Sequence, residues 1–221
     1  EGMLGRNVDY GEVYIQSARS ESFGLEDGIV KDGAFSVDAG IGVRALAGEK
    51  TGFAYCEDIR ADGLNKAAAA AKSVAGAGAR GPAQGLRVVS AEALYSTQDP
   101  ISSLSQEQKV ALLQQVDQTA RTADSRVKEV NVRIAGSHSS MLVMASDGTL
   151  SADIRPLVRL DVSVIVEDKG RRERGSSGGG GRRDLASFYA GDWADDLARE
   201  AVRMALVNLD AVDAPAGPMP V

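Results

Sequence analysis

The sequence predicts an α+β fold in which curled antiparallel β-sheets pack on helices, arranged as two similar β-rich halves. Three observations carry this. Partly alternating runs are punctuated by turn signals at Asp27-Gly28, Gly48, Asp147-Gly148 and Lys169-Gly170. Each block of strands ends in a segment of helical periodicity. Finally, Val13 to Gly28 can be laid on Val132 to Gly148 with one inserted residue, and Glu49-Lys-Thr-Gly52 then falls near Glu167-Asp-Lys-Gly170. Such a repeat implies two sheets facing one another, or one continuous sheet across a pseudo-twofold.

The elements follow in order. Glu12 to Arg19 alternates in part, and Ala34 to Leu46 forms a longer strand. Gly40 and Gly42 within it imply a bulge or the close approach of another backbone. Thr51 to Cys56 closes the first sheet. Asp58 is the expected N-cap of a first helix, with Leu64, Ala67, Ala68, Ala71, Val74 and Ala75 at helical spacing. Its alanines let it lie close against a sheet. Gly76 to Gly85, with Pro82, is the expected linker. Ser105 and Gln108 make a capping box for a second helix. Its apolar face is Val110, Leu113 and Val116, or Leu112, Val116 and Ala120. Strands return over 127–135, 140–145, 149–154 and 157–166. A last helix starts near Asp192, with Asp195 and Asp196 in the favourable first turn and Trp193, Leu197, Ala201 and Met204 along one face. Pro215, Pro218 and Pro220 forbid its continuation. The expected division is 1–76 (sheet plus helix), 77–88 (linker), 89–209 (helix, second sheet, helix) and 210–221 (connector).

Composition narrows the function classes. The chain has 221 residues, one cysteine, one histidine and a formal net charge of −6. No apolar run approaches the roughly 18 residues that would span a bilayer, and no basic stretch precedes an apolar core at the start. A start at Glu1 is the mark of an incomplete N-terminus. The single Cys56 excludes an internal disulfide and fits a reducing, cytoplasmic setting. The dense basic stretch, Lys169 to Arg183, is too little on an acidic chain to argue for direct nucleic-acid binding.

A zinc site needs three or four converging His, Cys or carboxylate ligands. With His138 in a Gly136-Ser-His-Ser-Ser140 segment that reads as a hairpin turn, and Cys56 at a strand end, this chain is expected to bind no metal. No nucleophile elbow is present, and the lone His has no evident partner. Asp195 with Asp196, and Glu26 with Asp27, serve capping and turn chemistry. The remaining candidate is Ser177, Gly178, Gly179, Gly180, Gly181 and Arg182. Four glycines in a row remove every Cβ, so a ligand or second chain can approach the backbone closely. The segment reads as a flexible solvated loop, a loop that orders on a partner, or an anion site. It lacks the Gly-Lys-Ser/Thr ending of a phosphate loop.

Several segments, in order along the chain, resemble the TldD family of zinc peptidases: Leu25-Glu-Asp-Gly-Ile-Val-Lys31, Gly42-Val-Arg-Ala45, Gly48-Glu-Lys-Thr-Gly-Phe-Ala-Tyr55, Asp147-Gly-Thr-Leu150, Arg155-Pro-Leu-Val-Arg159, Arg172 to Arg182, Glu200 to Leu206 and Ala214-Pro-Ala-Gly217. The resemblance implies a cytosolic metallopeptidase about twice this length, paired with a PmbA/TldE-type subunit or forming a homo-oligomer. It implies degradation or maturation of extended or unfolded peptides. Zinc and the His-Glu-x-x-x-His helix would belong to the full-length protein, past Val221, where the zinc would polarise a water and the Glu act as general base. No His-Glu pair occurs in this chain, so no catalytic residue is carried over and the fragment alone is expected to be inactive. Arg183 stands where the family favours an aromatic residue. The chain's expected role is a substrate groove, with residues 177–182 beside an extended peptide held by strand addition. The alternative is a non-enzymatic binding module, in keeping with the family's other label, modulator of DNA gyrase.

Overall fold

In the computed structural model, residues 8–75, 84–89, 94–214 and 216–218 are described. Four of the expected turns are where the sequence puts them. Asp27 and Gly28 have φ of 48° and 77°, and Lys169 and Gly170 have 51° and 82°. Consecutive left-handed residues give the tight turn whose twist matches antiparallel strands. Gly48 (57°) and Gly148 (95°) close the other two hairpins.

These turns join strands β1 (Tyr10–Glu26), β2 (Ile29–Ala47) and β3 (Lys50–Cys56), then, after helices α1 (Ala61–Ala75) and α2 (Gln106–Ala123), strands β5 (Val127–Ala145), β6 (Thr149–Asp168) and β7 (Arg171–Gly181). Helix α3 (Trp193–Leu209) follows β7, and a two-residue strand β4 (Arg87–Val88) lies between α1 and α2. The strands form one sheet in the order β3-β2-β1-β5-β6-β4, with β7 also on β6. The fold is thus α+β, as predicted. Its only parallel ladder among the described residues is the short β4–β6 pairing of Arg87 and Val88 with Thr149 and Leu150.

The strands are longer than the sequence suggests. Gly136 to Ser140 is no turn: β5 runs straight through it, with His138 in mid-strand, its Nε2 3.3 Å from the Thr97 carbonyl. Likewise β6 passes through Arg155 and Pro156. Pro156 falls between the last β7 partner, Val158, and the β4 partner Leu150. Of the expected linker, residues 76–83 lie outside the described residues, as do Pro215 and Pro220.

The chain divides into two compact units. Unit 1 is Glu1–Ser20, Phe35–Asp99 and Ser137–Pro156; unit 2 is Glu21–Ala34, Pro100–Gly136 and Leu157–Val221. Unit 1 has a small-residue core of Val8, Val13, Ile41, Val43, Ala45, Ala47 and the α1 face Ala67, Ala71 and Ala75. Val74, expected on that face, is 62% exposed. Asp58 caps no helix: its carboxylate instead takes the Arg60 backbone N–H (3.0 Å) and guanidinium (2.8 and 2.9 Å), and α1 begins only at Ala61.

Unit 2 packs α2 and α3 on the inner face of β5, β6 and β7. Every second residue of β6 from Val158 to Val166 is buried there, as pleating requires. The Ser105–Gln108 capping box forms in both directions. The buried α2 face is Leu112, Leu113, Val116 and Ala120, the second of the two predicted, flanked by buried Lys109 and Asp117. Lys109 pairs with Glu21 and donates to the Ile101 carbonyl (2.7 Å). On α3 the buried stripe is Ala194, Ala198, Ala201, Val202, Ala205 and Leu209; of the expected line, Ala201 is buried, Trp193 and Leu197 pack against the core partly buried, and Met204 is exposed. Asp195 does more than favour the first turn: it accepts from Thr119 (2.8 Å) and Gln115 (3.1 Å), fastening α3 to α2.

Candidate functional site

The glycine run is not a loop. Residues Arg171 to Gly181 are strand β7, paired antiparallel with β6 in the register Val162↔Ser177, Asp161↔Gly178, Leu160↔Gly179, Arg159↔Gly180 and Val158↔Gly181. A glycine-rich segment is a weak strand former by itself, and the neighbouring β6 supplies the ladder that fixes it. Arg182 and Arg183 form a bend after the strand.

Each glycine has a local reason. A Cβ on Gly175 would lie 2.2 Å from both the Ala201 carbonyl oxygen and the Ala205 nitrogen, so α3 rests directly on the β7 backbone. One on Gly179 would lie 3.1 Å from the Trp193 ring, which stacks on Phe188 at a centroid distance of 4.6 Å. On the opposite face, a Cβ on Gly178 would meet Asp161 Oδ1 at 2.3 Å, and one on Gly180 the Val158 carbonyl at 2.0 Å.

Strand β7 pairs only with β6 among the described residues, which makes it a sheet edge. The Arg174 carbonyl accepts from Asn208 Nδ2 (2.8 Å), so the main-chain groups of Arg174 point away from β6. Alternation in an antiparallel ladder then aims those of Ser176, Gly178 and Gly180 the same way. Along three alternate residues the edge offers N–H and C=O groups with almost no side chain around them.

Beside this edge, the face of the unit 2 sheet opposite the helices holds a cleft of about 580 Å³. Arg174, Ser176, Ser177 and Gly178 of β7 line it, with Arg159, Asp161 and Ser163 of β6, Asn131 and Arg133 of β5, and Gly24 of β1. Of the predicted residues, Ser177 and Gly178 therefore reach the cleft, whereas Gly179, Gly180, Gly181 and Arg182 do not line it. Arg133, Arg159 and Asp161 were not foreseen. The signal for the last two was the alternation Val158-Arg159-Leu160-Asp161-Val162-Ser163, whose polar members must share one face.

The cleft is polar and orderly. Arg159 pairs with Asp161 (2.7 Å), and the bond to that carboxylate raises the guanidinium pKa. Arg174 Nε donates to Ser163 Oγ (2.8 Å), and Arg133 Nη2 donates to Ser22 Oγ (3.0 Å). No three His, Cys, Asp or Glu side chains gather as a metal would require among the described residues. The donor set here does not fit a metal ion, and no step is assigned to one.

The family model described as PmbA/TldA metallopeptidase domain 1 matches residues 11–75, and the PmbA/TldA metallopeptidase central domain matches residues 99–209. A Metalloprotease TldD homolog of Haemophilus influenzae is 50% identical over 225 residues, covering 99% of this chain and 47% of that protein. Another Metalloprotease TldD homolog, from Buchnera aphidicola subsp. Schizaphis graminum, is 41% identical over 227 residues, covering 100% of this chain and 47% of that protein. The chain spans about half the length of the curated relatives it matches. Among solved structures, a proposed modulator of a DNA gyrase from Thermotoga maritima superposes with a TM-score of 0.75 at 16% identity, over 94% of this chain and 46% of that one. TldE from Thermococcus kodakarensis gives 0.70 at 13% identity, over 90% and 44%. At such identities the likeness is one of fold.

Proposed function

The chain belongs to the PmbA/TldD metallopeptidase family, and from that premise we propose that it is the substrate-groove and assembly part of a TldD-type zinc peptidase that degrades or matures unfolded peptides. In this reading the zinc is held by residues outside this chain, the partner is a PmbA/TldE-type subunit or a second copy, and the setting is the cytoplasm.

One observation carries the reading: a bare sheet edge, with Ser176, Gly178 and Gly180 turning their main-chain groups outward. An extended peptide can add there as a strand. Main-chain hydrogen bonds would hold it whatever its sequence, which suits an enzyme that must accept many unfolded chains. A folded substrate has few free main-chain groups to offer.

Valine at Gly179 or Gly180 would test this poorly, because it would collide with Trp193 or the Val158 carbonyl. The cleaner change is in the peptide. With the full-length protein, a binding peptide is N-methylated at every second amide, in either of the two phases. One phase should weaken binding and slow cleavage about tenfold or more, since several main-chain bonds of about 1 kcal/mol each are lost. The other phase should have little effect. Equal behaviour of the two phases would rule out strand addition. A phase effect on binding, with the peptide left whole, would favour the non-enzymatic binding module.

A further inference from the structure

Arginines of this chain are, as a rule, neutralised. Among the described residues eleven of them, such as Arg19, Arg44, Arg121 and Arg172, make ion pairs with carboxylates. Arg133 and Arg174 differ. Each is anchored by a hydroxyl, Ser22 or Ser163, and both line the same cleft beside the β7 edge. A hydroxyl fixes the direction of a guanidinium without cancelling its charge, and leaves most of its five N–H donors available. Ser22 is itself only 8% exposed, so the anchor of Arg133 is built into the sheet.

The surrounding charge agrees. Lys31, Arg133, Arg159 and Arg174 line the cleft against Glu26, Asp32 and Asp161, and Asp161 is already spent on Arg159. The cleft's four cations outnumber its three carboxylates by one, on a chain whose formal net charge is −6. The planar donor fork of arginine suits a carboxylate, which can take two parallel bonds.

We infer that this cleft receives a carboxylate of the peptide held at the β7 edge, with Arg133 and Arg174 as its donors, so that acidic peptides are preferred. The inference rests on the strand-addition reading above. A side-chain carboxylate and the C-terminal carboxylate are the two sources of that chemistry.

The test measures binding of short extended peptides to the full-length protein by fluorescence anisotropy. Peptides carrying one Glu, moved along the sequence, are compared with their Gln counterparts, and each is made with a free and an amidated C-terminus. Wild type should favour one Glu position, or the free C-terminus, by about tenfold, the scale of a charge-assisted hydrogen bond. Whichever of the two carries the preference identifies the source. The preference should shrink as salt is added. Arg133→Gln and Arg174→Gln should each abolish it while the binding of Gln peptides with amidated ends stays unchanged. If wild type binds Glu and Gln, free and amidated peptides equally well, the inference is overturned and strand addition survives. If none of the peptides binds, both fall.

Discussion

In unit 1 the strand that precedes the helix, β3, carries Phe53 and Tyr55 on its open face, 61% and 77% exposed; in unit 2 the corresponding strand, β7, carries Ser176, Gly178 and Gly180 there. The helix-facing sides are alike. Gly52 of β3 would place a Cβ 1.9 Å from the Ala71 carbonyl oxygen and 2.7 Å from the Ala75 nitrogen, and Gly175 of β7 meets Ala201 and Ala205 at 2.2 Å. Both strands use one glycine against a pair of alanines four residues apart, the spacing that puts them on one helix face. That device explains one glycine per strand. It does not cover Gly178 and Gly180 on the open face of β7, where a Cβ would meet Asp161 Oδ1 and the Val158 carbonyl instead, and these are the ones that leave that face bare.

The comparison can be broken most severely at the shared glycine. Gly175→Val should expel α3, which supplies Ala194 to Leu209 of the larger core, at a cost of at least about 3 kcal/mol because backbone atoms cannot step aside. Circular dichroism should then show loss of cooperative unfolding. Gly52→Val should detach α1, with its Ala67, Ala71 and Ala75, from the six other residues of its core and leave the unit 2 amides protected in hydrogen exchange. Equal, global unfolding by both variants would mean that the two packings are not separable.

A smaller effect sharpens what unit 2 has and the described residues of unit 1 lack, a helix with a buried ion pair. Lys109, 3% exposed, holds Glu21 and lies 5.8 Å from the Phe23 ring centroid. Lys109→Ala leaves the Glu21 carboxylate half sunk without its partner and should cost about 3 kcal/mol in urea unfolding, whereas the double change with Glu21→Gln should recover part of it. No recovery would mean that the pair acts through packing alone.

The smallest effect concerns acid. Asp124 is clamped by the Arg126 side chain and backbone N–H in unit 2, as Asp58 is by Arg60 in unit 1, and these bonds bring each carboxyl to about 2. Unfolded, an Asp titrates near 4. The folded form is the one with the depressed pKa, so the stabilisation is present above about pH 4 and is lost as the pH falls towards 2. Asp124→Asn and Asp58→Asn should each flatten the fall in melting temperature across that window. An unchanged slope in either would show that clamp to be idle.

Three signals were legible because their chemistry is local. Asp27-Gly28, Lys169-Gly170 and the Ser105–Gln108 box need only neighbouring residues to form. Strand lengths were not. Gly136 to Ser140 and the run Gly175 to Gly181 have turn-like composition, yet strands on either side of β5, and β6 beside β7, impose the extended form. The same override hid the cleft. Arg133, Arg159 and Arg174 lie on three strands, and the order β5-β6-β7 that assembles them depends on pairings between distant parts of the chain. The repeat was half visible. Val13 to Gly28 and Val132 to Gly148 both end in Asp-Gly hairpin turns, but Asp27 is left-handed and Asp147 is not, and Gly52 corresponds to Gly175 inside a strand, not to Gly170 at a turn.

The bare edge also bears on release. Cross-strand side-chain pairs are the main reinforcement of a β-ladder, and glycine offers none. A strand laid against Ser176, Gly178 and Gly180 would gain almost no side-chain pairing from the edge itself, so away from the Arg133 and Arg174 cleft it would be held by main-chain bonds and readily exchanged. The same poverty makes β7 a poor seed for stacking chain upon chain, which is the usual hazard of an open sheet edge. If unfolded polypeptides are its ligands, as proposed, such a surface gains from holding each one loosely.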